Sequence, residues 1–169
     1  GLLSTMRKNG TIALKDPTNY EARAKLRWAG THAINGKVGA GSQPAWCVHP
    51  MEHELSAFYD ITHGEGLAIL TPAWMEHILS EDTLTNFVDF SKNVWGLTGD
   101  DDWALAHAGI DALKKFFFET MGLPANLRAV GITDDENFEA MAQKACDGSK
   151  GSFVPLSKDD IIEIFKAAF

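Results

Sequence analysis

Asp100-Asp101-Asp102-Trp103-Ala104-Leu105-Ala106-His107-Ala108-Gly109-Ile110-Asp111-Ala112-Leu113-Lys114-Lys115-Phe116-Phe117-Phe118-Glu119-Thr120-Met121 has the pattern of a long amphipathic helix. Trp103, Leu105, Ala106, Ile110, Leu113, Phe116 and Phe117 recur at the spacing that gathers side chains on one face of an α-helix. Gly122-Leu123-Pro124 then ends it, because glycine tolerates the left-handed cap and proline cannot continue the helix.

The same period runs outward in both directions. Downstream, residues 134–146 predict a helix with acidic residues in its first turn, as the helix dipole favours. Ser157-Lys158-Asp159-Asp160 opens a last helix whose Ile161, Ile164, Phe165 and Ala168 form one stripe, after a Gly/Ser loop over residues 148–155. Upstream, helices are predicted over residues 81–95 and over 64–79, the latter bent at Pro72. Another begins near Trp46, with Pro50 in its first turn. A loop over residues 36–44, carrying Gly36, Gly39, Gly41 and Pro44, separates these from a helix over 20–37. That helix takes Asn19 or Thr18 as cap and Ala24, Trp28, Ala29, His32 and Ala33 as its apolar positions. A first short helix closes at residues 12–14 and is broken by Asp16-Pro17. No alternating strand pattern interrupts the series, so the expected fold class is all-α, in one domain over 1–169. Trp28, Trp74, Trp95, Trp103 and the Phe116–Phe118 run are expected in the core.

Composition agrees with a globular chain: 169 residues, 45% hydrophobic and 22% charged. A net charge of −8 and a pI near 5.1 argue against nucleic acid or an anionic membrane as partner. No apolar run approaches the roughly 20 residues of a membrane span. Cys47 and Cys146 are too few for a disulfide framework, which makes a reducing, cytoplasmic setting the default. Cys47 is expected as a buried free thiol. The start lacks both an initiator Met and a signal-peptide layout, which suggests a piece of a longer protein.

The chemistry concentrates in Trp46-Cys47-Val48-His49-Pro50-Met51-Glu52-His53-Glu54-Leu55 and Ala57-Phe58-Tyr59-Asp60-Ile61-Thr62-His63-Gly64. Three of the six histidines lie here, and neutral imidazole is both a common metal ligand and the usual proton carrier near neutrality. On a helix His49 and His53 stand one turn apart, about 6 Å along the axis. A sharp turn after that helix brings His63 back towards them, giving half of a four-ligand site. On spacing alone such a His-x-x-x-His pair is more often solvent-facing or packed than metal-bound. Glu52, Glu54 and Asp60 either orient an imidazole or are simply solvated. His-Glu-x-x-His is absent because position 57 is Ala57, which removes the zinc-peptidase reading. No nucleophile elbow and no Gly-rich phosphate loop is present. His32, His77 and His107 read as packed or surface residues, and Trp46 and Phe58 as the border of an apolar substrate pocket.

Leu14-Lys15-Asp16-Pro17-x-x-Tyr20-Glu21-Ala22-Arg23-Ala24, Trp28-Ala29-Gly30-Thr31, Asn35-Gly36, His49-x-x-x-His53-Glu54-Leu55-Ser56-Ala57 and His63-Gly64-x-Gly66-Leu67-Ala68-Ile69 together resemble the iron-containing (group III) alcohol dehydrogenases, most of all their butanol dehydrogenase-type branch. The resemblance covers essentially the whole chain, through Trp95-Gly96, Phe117-Phe118 and Gly122-Leu123-Pro124.

The resemblance implies the all-α, metal-holding C-terminal domain of a dehydroquinate synthase-like architecture, without the N-terminal domain that binds NAD(P). In that family an Asp and a His four apart, then two His fourteen apart, hold a divalent metal: Fe2+ as first choice, with Zn2+ as the alternative. His49 and His63 match the second pair; nothing in the chain matches the first. His53 takes the catalytic role of relaying a proton beside the nicotinamide and substrate. The implied partners are a small alcohol or aldehyde, the chain's own N-terminal domain, and a second copy in a homodimer. As a fragment it is expected to be inactive. The alternative reading is a free-standing helical binding or scaffold module that keeps the fold without the chemistry.

Overall fold

The computed structural model describes residues 1–41, 45–149 and 151–169, and among these it is all helical, as the periodicity predicts. The expected loop over 36–44 is seen as far as Gly41; its remainder, and Lys150 in the 148–155 loop, lie outside the described residues. Packing divides the chain into two compact units, Gly1–Pro44 with Asn86–Gly122 and Ala45–Thr85 with Leu123–Phe169.

In the first unit α1 (Leu2–Lys15) packs on α2 (Tyr20–Ile34). The first helix is longer than its sequence suggests, although it ends at Asp16 as expected. Asn19 caps α2 by accepting from the Ala22 N–H at 3.0 Å. The buried face of α2 differs from the expected stripe. Ala22 and Ala29 face α1, whose own buried positions are Asn9 and Gly10. The small Ala22 and Ala29 let α2 approach α1, while Gly10 faces Met121 and Phe116 instead; Trp28 is 68% exposed, its ring edge-on to His32. Asn9 offsets its burial by donating to Thr5 O at 2.9 Å.

α5 (Leu84–Phe90) runs into a π-helical turn, Ser91–Trp95, closed by Gly96 in the left-handed region. The buried Ser91 hydroxyl lies 2.9 Å from Phe87 O and 2.8 Å from Leu105 O, fixing this turn to α6 (Asp102–Lys114). Gly109 makes that approach possible, since a Cβ there would sit 1.9 Å from Ser91 Oγ. The long helix of the opening stretch is therefore α6 followed by a π-helical segment, Lys115–Thr120. Phe116, Phe117 and Phe118 cannot share one α-helical face; wider winding leaves all three half-buried instead. Trp103 is exposed rather than in the core, and Trp95 is half-buried under the Arg7 guanidinium.

The second unit is a ring of four helices: α3 (His49–Tyr59) on α4 (His63–Ile78), α4 on α8 (Lys158–Ala167), α8 on α7 (Phe138–Gly148), and α7 back on α3. Met51, Leu55, Leu70, Phe138, Met141, Ile161, Ile164 and Phe165 fill its centre. The stripe predicted for α8 is the buried one, and Ser157 and Asp160 form a reciprocal capping box at its start. His77 joins α4 to α8 through Asp160 (3.1 Å) and Glu163 (3.7 Å). A short 3-10 turn, Leu127–Val130, was not foreseen; Leu127 N–H donates to Ala168 O and ties it to the end of α8. No helix among the described residues is long and apolar enough to cross a membrane.

Candidate metal centre

His49 is the first residue of α3, three residues later than predicted, and Pro50 follows where its missing N–H removes no intrahelical bond. Pro50 also packs beside Gly148, where a Cβ would lie 2.8 Å from the proline ring. One turn on, His53 projects from the same helix. α3 then stops at Asp60, which at φ 52° is the one non-glycine residue with positive φ among the described residues. Asp tolerates that left-handed conformation better than most residues. The reversal is followed by Thr62, whose carbonyl accepts from the Glu65 and Gly66 N–H groups and starts α4 at His63.

The turn folds His63 back against α3. Ring centroids are 5.4 Å apart for His49 and His63, 5.6 Å for His53 and His63, and 5.9 Å for His49 and His53. All three imidazoles named from the sequence thus share one cluster. The tightest set of metal-binding atoms comes from Glu52, His53 and His63, which lie within 4.8 Å of one another.

Glu52 is the residue whose part the sequence leaves ambiguous. It is fully buried, accepting from Ser56 Oγ at 2.6 Å and pairing with His63 Nδ1. Gly66 permits this: a Cβ would fall 2.8 Å from Glu52 Cγ and 2.9 Å from its Oε1. Against a carboxylate acceptor Nδ1 is the nitrogen that donates, which turns Nε2 of His63 away from Glu52. Glu54 instead pairs with Lys144 at 3.6 Å, and Asp60 serves the turn. The Glu52-to-Ser56 spacing of four is the one signal for this in the sequence.

Burial, then the neighbouring His63 and His53, hold His49 below the ordinary imidazole value, with Glu52 opposing. His49 is therefore neutral at pH 7, the state a metal ligand requires. Beside it opens a groove of about 300 Å³ lined by residues 45–49 with Leu67, Thr71 and Trp74. Trp46 belongs to it, edge-on to His49 with centroids 4.5 Å apart; Phe58 lies elsewhere, under the Lys144 ammonium. Cys47 is half-buried on the groove wall rather than buried as expected.

Glu52, His53 and His63 bring ligand atoms around one point, with the predicted ligand His49 outside that set but its ring 5.4 Å from that of His63, an arrangement that fits one side of a divalent-metal site. Residues 2–169 match the model of the Fe-containing alcohol dehydrogenase family, C-terminal part. The chain belongs to that family. It is 47% identical to NADH-dependent butanol dehydrogenase A of Clostridium acetobutylicum over 99% of this chain and 44% of that protein. To the NADPH-dependent aldehyde reductase YqhD of Escherichia coli it is 37% identical, over 85% of this chain and 36% of the enzyme. Among solved structures, NADH-dependent butanol dehydrogenase A of Thermotoga maritima superposes with a TM-score of 0.87 at 33% identity, covering 99% of this chain and 44% of that one. The chain thus spans less than half the length of these relatives.

Proposed function

We propose that the chain is the metal-holding, C-terminal domain of an NAD(P)-dependent alcohol dehydrogenase that interconverts primary alcohols and aldehydes. The observation that carries this reading is the buried Glu52 carboxylate behind His63, with His49 and His53 beside it. His63 itself is half-exposed while the carboxylate behind it is fully buried, the arrangement that orients a metal-ligating imidazole towards an open side.

In this reading His49 and His63 hold a divalent ion, Fe2+ first and Zn2+ as the alternative, and residues outside this chain complete the set. Such an ion, when bound, supplies Lewis acidity to the substrate oxygen. Glu52 keeps the His63 proton on Nδ1 and leaves Nε2 for coordination. His53, exposed on the solvent side of the cluster, carries the alcohol proton on a ring nitrogen between substrate and water. The Trp46, Leu67 and Trp74 wall receives the alkyl part of the substrate and keeps water from it. A nicotinamide cofactor supplies the hydride chemistry, held mainly by an N-terminal domain that precedes this one. The two free cysteines suit a cytoplasmic enzyme.

The test compares the 169-residue chain with the protein translated from the coding sequence extended upstream. NAD(P)H-dependent aldehyde reduction is expected from the longer protein, lost in its His63→Ala variant, and absent from the 169-residue chain alone. Robust turnover by the isolated chain contradicts the proposal.

A further inference from the structure

Charge is divided unevenly along this acidic chain. Residues 1–37 hold seven Lys and Arg against two Asp and Glu, a net +5, which leaves −13 for the rest of a chain whose total is −8. The two acids of this segment are already engaged: Asp16 accepts from Thr18 N–H (3.1 Å) and Oγ (2.7 Å), and Glu21 pairs with Lys25 at 3.4 Å. Within α2 that leaves the face carrying Arg23 and Arg27 without an acidic residue, Asp16 lying in the preceding turn on Thr18.

A cleft of about 460 Å³ opens on that side, lined by Pro17, Thr18, Tyr20, Arg23, Ala24 and Arg27. Arg23 and Arg27 are four residues apart, so both guanidinium groups come from one helical face. One N–H of Arg23 reaches Pro17 O at 3.3 Å and steadies the fork; among the described residues no acidic side chain pairs with Arg27. Tyr20 is 79% exposed at the rim, in the first turn of a helix whose N-terminal dipole adds positive potential. Two forked, permanently charged donors beside a bare phenol ring in a concave site suit one ligand chemistry: a phosphate dianion attached to a planar group.

We propose that this cleft binds a phosphate-bearing small molecule of the nucleoside monophosphate kind, its phosphate between Arg23 and Arg27 and its ring on Tyr20. The site lies wholly within the first unit and does not depend on the dehydrogenase reading, since none of its residues belongs to the histidine cluster.

The experiment titrates AMP, and separately inorganic phosphate, into the 169-residue chain at low salt while the Nε–Hε NMR signals of the arginines are followed. Saturable AMP binding with a Kd of about 1 mM or tighter is expected, with Arg23 and Arg27 shifting together. Arg27→Ala is expected to weaken it at least about tenfold. Replacing both arginines by lysine, which keeps charge but removes the fork, should weaken it several-fold, whereas Lys25→Ala leaves it unchanged. Amide dispersion in each variant reports that the fold persists. AMP binding more tightly than phosphate supports the ring contact; equal binding overturns the nucleotide assignment. Non-saturable shifts, or an equal loss in Arg27→Ala and Lys25→Ala, overturn the site itself.

Discussion

Replacing Glu52 by Gln keeps the shape of a fully buried side chain and removes its charge. The carboxylate takes two donors, Ser56 Oγ and His63 Nδ1, one on each oxygen. A carboxamide has one acceptor oxygen and an NH2 group. With the oxygen towards His63, the NH2 faces Ser56, whose hydroxyl is then free to donate to Ile61 O, 3.3 Å away. One amide N–H then donates to Ser56 Oγ and the other is left without a named acceptor, so the variant loses the ionised acceptor on His63 and gains one unpaired buried donor. Hydrogen bonds to charged groups contribute about 1.5–3 kcal/mol against about 0.5–1.5 for neutral ones. The difference, about 1–1.5 kcal/mol, corresponds to a factor of roughly ten in the affinity of His63 for a metal. Global stability should change less, because no longer burying a charge offsets the unpaired donor. Competition between the chain and a chromophoric chelator for Zn2+ measures the affinity, and urea unfolding measures the stability. Zn2+ affinity within about twofold of the unmodified chain would refute the orienting role given to Glu52.

Other outcomes follow from the packing and the titrating groups. Gly109→Ala drives a Cβ into Ser91 and should cost about 1–3 kcal/mol in urea unfolding through overpacking; a neutral result contradicts the close contact of α6 with the π-turn. The Ser157 hydroxyl, more than His77, holds Asp160 below the usual carboxylate range. A carboxyl depressed in the folded state contributes stability that is present above its unfolded value and lost as pH falls through the folded one. The unmodified chain should therefore lose its advantage over Asp160→Asn below about pH 4, as seen in urea melts across that range. His49 should titrate below the usual imidazole value by NMR and move upward in His63→Ala, which removes one of the neighbouring rings that, after burial, hold it down. Because its folded value is depressed, its contribution to stability is lost as pH drops below about 6.5. A His49 titration unchanged by His63→Ala would show that the two rings do not face one another.

Much of the architecture is legible from apolar spacing, because each helix buries one face. The α8 stripe of Ile161, Ile164, Phe165 and Ala168 is the clearest case. Where helices meet through small residues the rule inverts. Ala22 and Ala29 hide and Trp28 is left outside, a result hydrophobicity cannot signal because it depends on how closely α1 approaches. The π-helical segments escape for another reason: three consecutive phenylalanines are compatible with an α-helical stripe until their neighbours are known. At the site, the histidines announce themselves by residue type. Glu52 does not, since its role depends on the left-handed turn at Asp60 and on the bare Cα of Gly66, both of which operate across the reversal of the chain.

Titration of Co2+ into the 169-residue chain, followed through its imidazole NMR signals, tests the metal-holding role most directly. The His49 and His63 rings are expected to respond first and together, ahead of His32, His77 and His107. A first response at those other histidines, with His63 unmoved, would contradict it.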